Sequence, residues 1–299
     1  MSTIYRREII GRNCNQGAAG LMEDGVLSFI RARCVSRGKL PVVSLSVCRE
    51  AAEECGATLR EVEIAALHAG ICPSRYERTI GSLGAEGQAR LLESCAAVVG
   101  CGGLGGWMIE ILARAGVGRL ILIDGDTFAE NNLNRQLYAT EENIGAPKAR
   151  AAAARVKAIN SSVEAEAREA FIDEANGEEL LRGADVVLDA LDGNRSRSVV
   201  FGVCEKMNVP FVHGAVAGFF GEAAVLRAGC VPPWERVGAG DRGIEAEIGT
   251  MPFTPPFVAS LQVAEAVKIL AGVGGGADHT LLWFDLLRRD MQKLKLRRV

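Results

Sequence analysis

From residue 95 onward the chain alternates two hydrophobic patterns. Short, almost wholly apolar runs occupy 95–100 (CAAVVG), 119–124 (RLILID), 184–192 (ADVVLDALD), 210–216 (PFVHGAV) and 222–229 (EAAVLRAG), with a weaker one near 163–170. Apolar residues at consecutive positions over so short a length predict strands buried on both faces. Longer stretches with helical spacing lie between them, predicting helices over 104–115, 148–160, 174–182, 195–208 and 259–271. Two further strands are expected within 280–298. Such alternation predicts an α/β fold: a Rossmann-like, mostly parallel sheet with helices on both faces, and antiparallel strands near the C-terminus. The Gly- and Pro-rich stretch 229–258 predicts a long loop, and loops of that length are usually functional or mobile.

Residues 1–72 follow a different pattern. The segment 44–70 reads as two short helices around Gly56, with Thr58 and Glu61 forming a capping box for the second. Ala52, Gly56 and Val62 have the spacing of a helix-turn-helix, but the second helix sets Glu61 and Glu63 against Arg60 alone. A net-acidic helix does not enter a groove lined by phosphates. The expectation is a small helical N-terminal extension over 1–72 with a packing or oligomerisation role, a boundary at Ile71–Pro73, and a second domain over 73–299.

Composition narrows the partners. Among 299 residues, 48% are hydrophobic, enough for a large core, while 5% aromatic and 35 Gly suit helix–sheet packing. A net charge of −3 argues against nucleic acid as the partner, and the basic stretch 286–299 alternates charged and apolar residues as an edge strand does. The opening MSTIYRREII places charge where a signal peptide needs an apolar core, and no apolar run approaches membrane-spanning length. The nine cysteines are odd in number and scattered, so a reduced, cytoplasmic protein is expected.

The chemistry concentrates in 98–126. Gly100, Gly102, Gly103 and Gly105 form a turn between strand and helix, where backbone amides approach a phosphate. Asp124 and Asp126 close the next strand, where a carboxylate accepts hydrogen bonds from ribose. The most frequent owner of this pattern is an NAD(P)-binding oxidoreductase. Three features favour a triphosphate instead. ENNLNRQL (130–137) offers Asn132, Arg135 and Gln136 beside the strand end. Arg135 is a fork-shaped donor suited to phosphate, or else a surface arginine paired with Glu130 or Glu141. Lys148 follows Pro147 at the start of a helix, where it opposes the dipole at a cost that an anion offsets; otherwise it is an ordinary exposed lysine. Asp189 and Asp192 end a buried strand. Asp192 either holds Mg²⁺ against phosphate oxygens or caps the next helix with Arg195 or Arg197 as its partner, and Asp189 is placed to orient without touching metal.

Taken in order, GCGGLGG, Asp124-x-Asp126, NNLNRQ, Pro147-Lys148, Asp189-x-x-Asp192 and HGAVAGFFGEAAV resemble the MoeB/ThiF/HesA family of E1-like adenylyltransferases. RYERTIGSLGAEGQARLLESCAAVVG (75–100) and FTPPFVASLQVAEAVKILAG (253–272) extend the resemblance over about 73–299. It implies an ATP- and Mg²⁺-dependent enzyme that adenylylates the C-terminal Gly-Gly of a ubiquitin-like sulfur-carrier protein, in molybdopterin- or thiamin-type biosynthesis, and releases pyrophosphate. It also implies that Gly103 contacts phosphate and Asp124 ribose, that Asn132, Arg135 and Lys148 hold the phosphates, and that Asp192 holds Mg²⁺. Arg78 matches a family arginine that reaches into the partner subunit's site, implying a homodimer. The alternatives are an enzyme like the tRNA threonylcarbamoyladenosine dehydratases, an NAD(P)-binding oxidoreductase, or a silent relative that only binds a partner. The chain departs from the family at two places. Cys230 stands alone where many members carry two Cys-x-x-Cys pairs, so no structural zinc is expected. Asp192 is followed by Gly193, which displaces Asn194 by one position from the usual Asp-Asn. Cys230 lies roughly where some relatives place a reactive cysteine, against the plainer reading of an inert loop residue, and His213 reads as a core or hydrogen-bonded histidine.

Overall fold

A division of the chain falls between Arg75 and Tyr76 in the computed structural model, which describes residues 16–236, 245–274 and 279–297. The first unit contains α1 (Gln16–Arg31), β1 (Val35–Arg37), β2 (Leu40–Val43), α2 (Leu45–Cys55), α3 (Leu59–His68) and β3 (Cys72–Pro73). Gly56, at φ 64°, ends α2 in the left-handed conformation. Thr58 and Glu61 then form the expected capping box of α3. Val26, Ile30, Val43, Ala51, Val62 and Ala66 build its core. Two details differ from the sequence expectation. The unit is not purely helical, because β1 and β3 flank β2 in a small sheet. It also runs past residue 72: Cys72 and Pro73 pair with Val42 and Val43, and Arg75 Nε lies 3.1 Å from the buried Glu63 Oε1.

The second unit follows the predicted alternation: α4 (Ile80–Glu93), β4 (Cys95–Val99), α5 (Gly103–Ala115), β5 (Arg119–Ile123), α6 (Lys148–Ile159), β6 (Glu164–Arg168), α7 (Gly177–Leu180), β7 (Val186–Asp189), α8 (Asn194–Met207), β8 (Phe211–Ala217), β9 (Phe220–Leu226), α9 (Glu245–Ile248), α10 (Thr254–Ala271), β10 (Thr280–Asp285) and β11 (Asp290–Lys295). One sheet of eight strands runs β11-β10-β9-β8-β7-β4-β5-β6. Strands β6, β5, β4, β7 and β8 are mutually parallel, and β8 to β11 antiparallel. Helices cover both faces. Met108 and Leu112 of α5 meet Val258 and Val263 of α10 on one side, while Phe201, Cys204 and Phe211 pack with Trp234 on the other.

The chain leaves β4 toward β5 and β6 on one side and returns to β7 and β8 on the other. The crevice beyond the carboxyl ends of β4 and β7 is thus the topological switch point, where open α/β sheets bind ligands. Two predicted helix bounds shift. α10 begins at Thr254 rather than 259, because Pro255 and Pro256 sit in the first turn, where a missing N–H costs nothing. α7 is a single turn within the predicted 174–182. No helix among the described residues is long and apolar enough to cross a membrane.

Candidate active site

The four glycines of the turn divide into two pairs. A Cβ on Gly105 would lie 1.8 Å from the Gly100 carbonyl oxygen, and one on Gly100, whose φ is +96°, would lie 2.5 Å from the Ala190 oxygen. These two glycines let the turn close upon itself and against the loop after β7. Gly102 and Gly103 face side chains instead: added Cβ atoms would meet Gln136 at 3.2 Å and Arg135 at 3.8 Å. No side chain caps α5 at Gly102, so the amides of its first turn stay open to an anion.

Asp124 holds this turn in place. Its Oδ2 accepts from the Cys101 amide at 2.7 Å and its Oδ1 from the Asp126 amide at 2.8 Å. Burial raises its pKa, opposed by those two amides. Lys148 is buried, with its Nζ 3.2 Å from Asp126 Oδ2, and its amide donates to the Asp126 carbonyl. The lysine that opposes the α6 dipole therefore already has a carboxylate beside it, supplied by the chain.

The 130–137 segment packs beside the open helix end. Asn132 is buried and spends its amide locally: Oδ1 accepts from the Ala129 amide and Nδ2 donates to Asn131 Oδ1. Arg135 Nη1 donates to the Asn131 carbonyl and Asn134 Oδ1, not to Glu130 or Glu141. Gln136 is buried, and its Oε1 has no hydrogen-bond partner among the described residues. A buried carbonyl oxygen left without a donor is costly unless a hydroxyl or N–H of a ligand completes it.

Asp189 and Asp192 have opposite surroundings. Asp189 is fully buried. Its Oδ1 accepts from the Leu191 amide at 2.9 Å, and its Oδ2 meets Arg197 Nε at 3.0 Å and His213 Nδ1 at 2.8 Å. Burial pushes the carboxyl up, but the Arg197 charge and the His213 hydrogen bond outweigh it and hold the group below the usual range. Asp192 is exposed and makes no hydrogen bond or ion pair among the described residues. Arg197 thus pairs with Asp189, not Asp192, and Gly193 is the N-cap residue of α8, so Asp192 has no capping role. A free carboxylate at the strand edge, beside one whose oxygens are all engaged, suits a hard cation such as Mg²⁺.

Arg78 stands apart from this set. It is exposed and makes no hydrogen bond or ion pair among the described residues. Tyr76, just before it, packs on Gly116 and accepts from Asn160 Nδ2 at 3.0 Å. Gly116 is the C-cap of α5, whose 13 residues put it about 20 Å from the open end. Sequence reasoning passed over Phe171, which is 70% exposed with its ring 2.7 Å from the position a Gly125 Cβ would take. The only trace of it in the sequence is one aromatic residue after the polar strand EAEAR. Cys230 is buried in the cluster that contains Phe201 and Trp234.

Comparison with known proteins bears on this arrangement. Residues 76–299 match the ThiF family. A SAMP-activating enzyme E1 of Haloferax volcanii is 37% identical over 230 residues, spanning 75% of this chain and 85% of that protein. A sulfur carrier protein adenylyltransferase of Thermus thermophilus is 36% identical over 236 residues, spanning 75% of this chain and 87% of that protein. The crystal structure of E. coli MccB with ATP shares the fold at a TM-score of 0.65 and 19% identity, covering 84% of this chain and 82% of that one. The sequence motifs, the switch-point crevice and these matches agree, and the chain belongs to the ThiF family of E1-like adenylyltransferases.

Proposed function

We propose that this chain uses ATP and Mg²⁺ to adenylylate the C-terminal glycine carboxylate of a ubiquitin-like sulfur-carrier protein. One observation carries the reading: the N-terminus of α5 has no side-chain cap, at the sheet edge that also holds Asp192, which makes no hydrogen bond or ion pair among the described residues. The former suits an anion and the latter its counter-cation. The activities named for the Haloferax and Thermus relatives support the same reading.

The chemistry asks little beyond placement and charge. A C-terminal carboxyl, with a pKa of about 3.3–3.7, is ionised at neutral pH, so no base is required. A carboxylate oxygen bonds to the α-phosphorus, the bond to the bridging oxygen breaks, and pyrophosphate leaves with that electron pair. The α5 amides, Arg135 and Lys148 hold phosphate oxygens, the Gln136 Oε1 accepts from a hydroxyl or N–H of the nucleotide, and Asp124 receives the ribose hydroxyls. Mg²⁺ bound at Asp192 supplies positive charge against the phosphates. Arg78 acts in the partner subunit's site of a homodimer, in keeping with its position near the far end of α5. Pre-set donors around phosphorus account for a site that lacks a nucleophile–base pair.

The decisive assay is carrier-dependent ATP–pyrophosphate exchange, using ubiquitin-like proteins that end in Gly-Gly. Arg78→Ala and Asp192→Ala are each expected to lower it by about 10²–10³. Retained exchange in both variants would refute the assigned roles, and affinity for NAD with none for ATP-Mg would refute the reaction class.

A further inference from the structure

His213 sits on β8 between two carboxylates, fully buried, and the reaction just described makes no use of it. Its Nδ1 lies 2.8 Å from Asp189 Oδ2 and its Nε2 3.1 Å from Glu222 Oε1. A neutral imidazole donates from one nitrogen only and would turn a lone pair toward the other carboxylate. Two acceptors on opposite sides require both nitrogens to carry hydrogen. The groups facing the ring are Asp189 of β7, Glu222 of β9 and Arg197 of α8, with the neutral ring of Trp234 4.9 Å away. On the same helix, Cys204 is a thiol pushed up to about 12 by burial and by Asp189. Gln262 of α10 is neutral and donates to the Asp189 and Val212 carbonyls. Two carboxylates and one guanidinium leave a charge of −1 in this pocket, and an imidazolium brings it to zero.

The network ends at Leu191, the residue before Asp192. Asp189 Oδ1 accepts from the Leu191 amide, and Arg197 Nη2 donates to the Leu191 carbonyl. Both backbone polar groups of that residue are therefore held by side chains that His213 helps to fix. We propose that His213, clamped between Asp189 and Glu222, is a positioning residue that sets the Asp192 loop for its divalent cation. This rests on the ATP-Mg reading above. Burial alone would lower the histidine pKa, but the two carboxylates outweigh it and raise it, in keeping with the charge balance. Losing the proton leaves a net negative charge beneath the loop and turns a lone pair toward Asp189 or Glu222, and losing the ring also frees Asp189 from one of the two side chains that hold it.

The test uses the full chain and compares ATP affinity with Mg²⁺ and with a chelator, by calorimetry. Outer-shell partners of a metal site typically contribute about 10–100-fold in metal affinity, so His213→Gln is expected to lose about tenfold or more of the gain that Mg²⁺ gives, with metal-free ATP affinity almost unchanged. Glu222→Gln keeps an acceptor for Nε2 but removes its charge. Its Mg²⁺ gain is expected to match wild type below about pH 6.5, the ordinary histidine value, and to fail at a lower pH than wild type as pH rises above it. A merely structural role would weaken both ATP measurements together and leave the alkaline limb in place. The proposal is overturned if the Mg²⁺ gain and its pH limb in Glu222→Gln coincide with wild type, a result that decides the matter even if His213→Gln does not fold. Wild-type chain with no affinity for ATP-Mg would instead remove the reading on which the proposal stands.

Discussion

Asp189 ends β7 and Asp192 lies three residues on in the loop that follows, yet one is fully buried with both oxygens engaged and the other is exposed with neither engaged among the described residues. The contrast separates two uses of charge at one sheet edge. A buried carboxylate is tolerable only when paired on every side, and then it fixes geometry. An exposed carboxylate contributes almost nothing to folding and stays available to a ligand. The boundary between the two is the Leu191 peptide, bound from below by Asp189 and Arg197.

Asp189→Ala should have the largest effect, on stability. Removing one member of a buried ion-paired set costs about 3–5 kcal/mol, because Arg197 and His213 are left buried without it. Denaturant unfolding measures this, and a loss below 1 kcal/mol would break the distinction (about the ordinary effect of one substitution). Asp192→Ala should give the opposite signature. Stability should stay within about 0.5 kcal/mol of wild type, while ATP–pyrophosphate exchange falls by about 10²–10³.

Next comes pH. The His213 pKa is raised above 6.5, so its contribution to stability is complete below that pH and is lost as pH rises through the folded-state value. Between pH 6.5 and that value, wild-type stability should fall by no more than about 1.4 kcal/mol per pH unit, the slope for one proton, and His213→Gln should flatten the decline. The Asp189 pKa is lowered below 3.8, so its share persists above that pH and disappears only on further acidification. The smallest effect is expected away from the site. Thr58→Ala removes the α3 capping box and should cost the first unit about 1 kcal/mol, with ATP affinity unchanged.

What the sequence revealed depended on how locally each feature is encoded. The glycine turn, the strands around it and the capping box at Thr58 and Glu61 are written within a few consecutive residues, and the structure has them where the pattern places them. Arg197 is legible as an ion-pair partner five residues after Asp192, but choosing Asp189 instead requires the loop's shape. The His213–Glu222 contact depends on the register of β8 against β9, which no single segment states. β3 is only two residues long and pairs with Val42 and Val43, some thirty positions earlier, so it leaves no periodic trace. The start of α10 was hidden by Pro255 and Pro256, which resemble loop residues unless they are placed in a first turn. Gln136 was read as a candidate, but its missing partner shows only when the segment is folded against Gly102.

The Lys148–Asp126 pair has a consequence for how a ligand enters. The ammonium group does not wait bare; a carboxylate from its own chain already neutralises it. If Lys148 holds phosphate as proposed, docking is a swap of counter-ions, and the newcomer gains only the margin by which it outcompetes the resident aspartate. Guests with little negative charge have a small margin, whereas a polyphosphate chain, touching the helix amides and the lysine at once, has a large one. On that proposal, selection by charge precedes recognition of base or sugar.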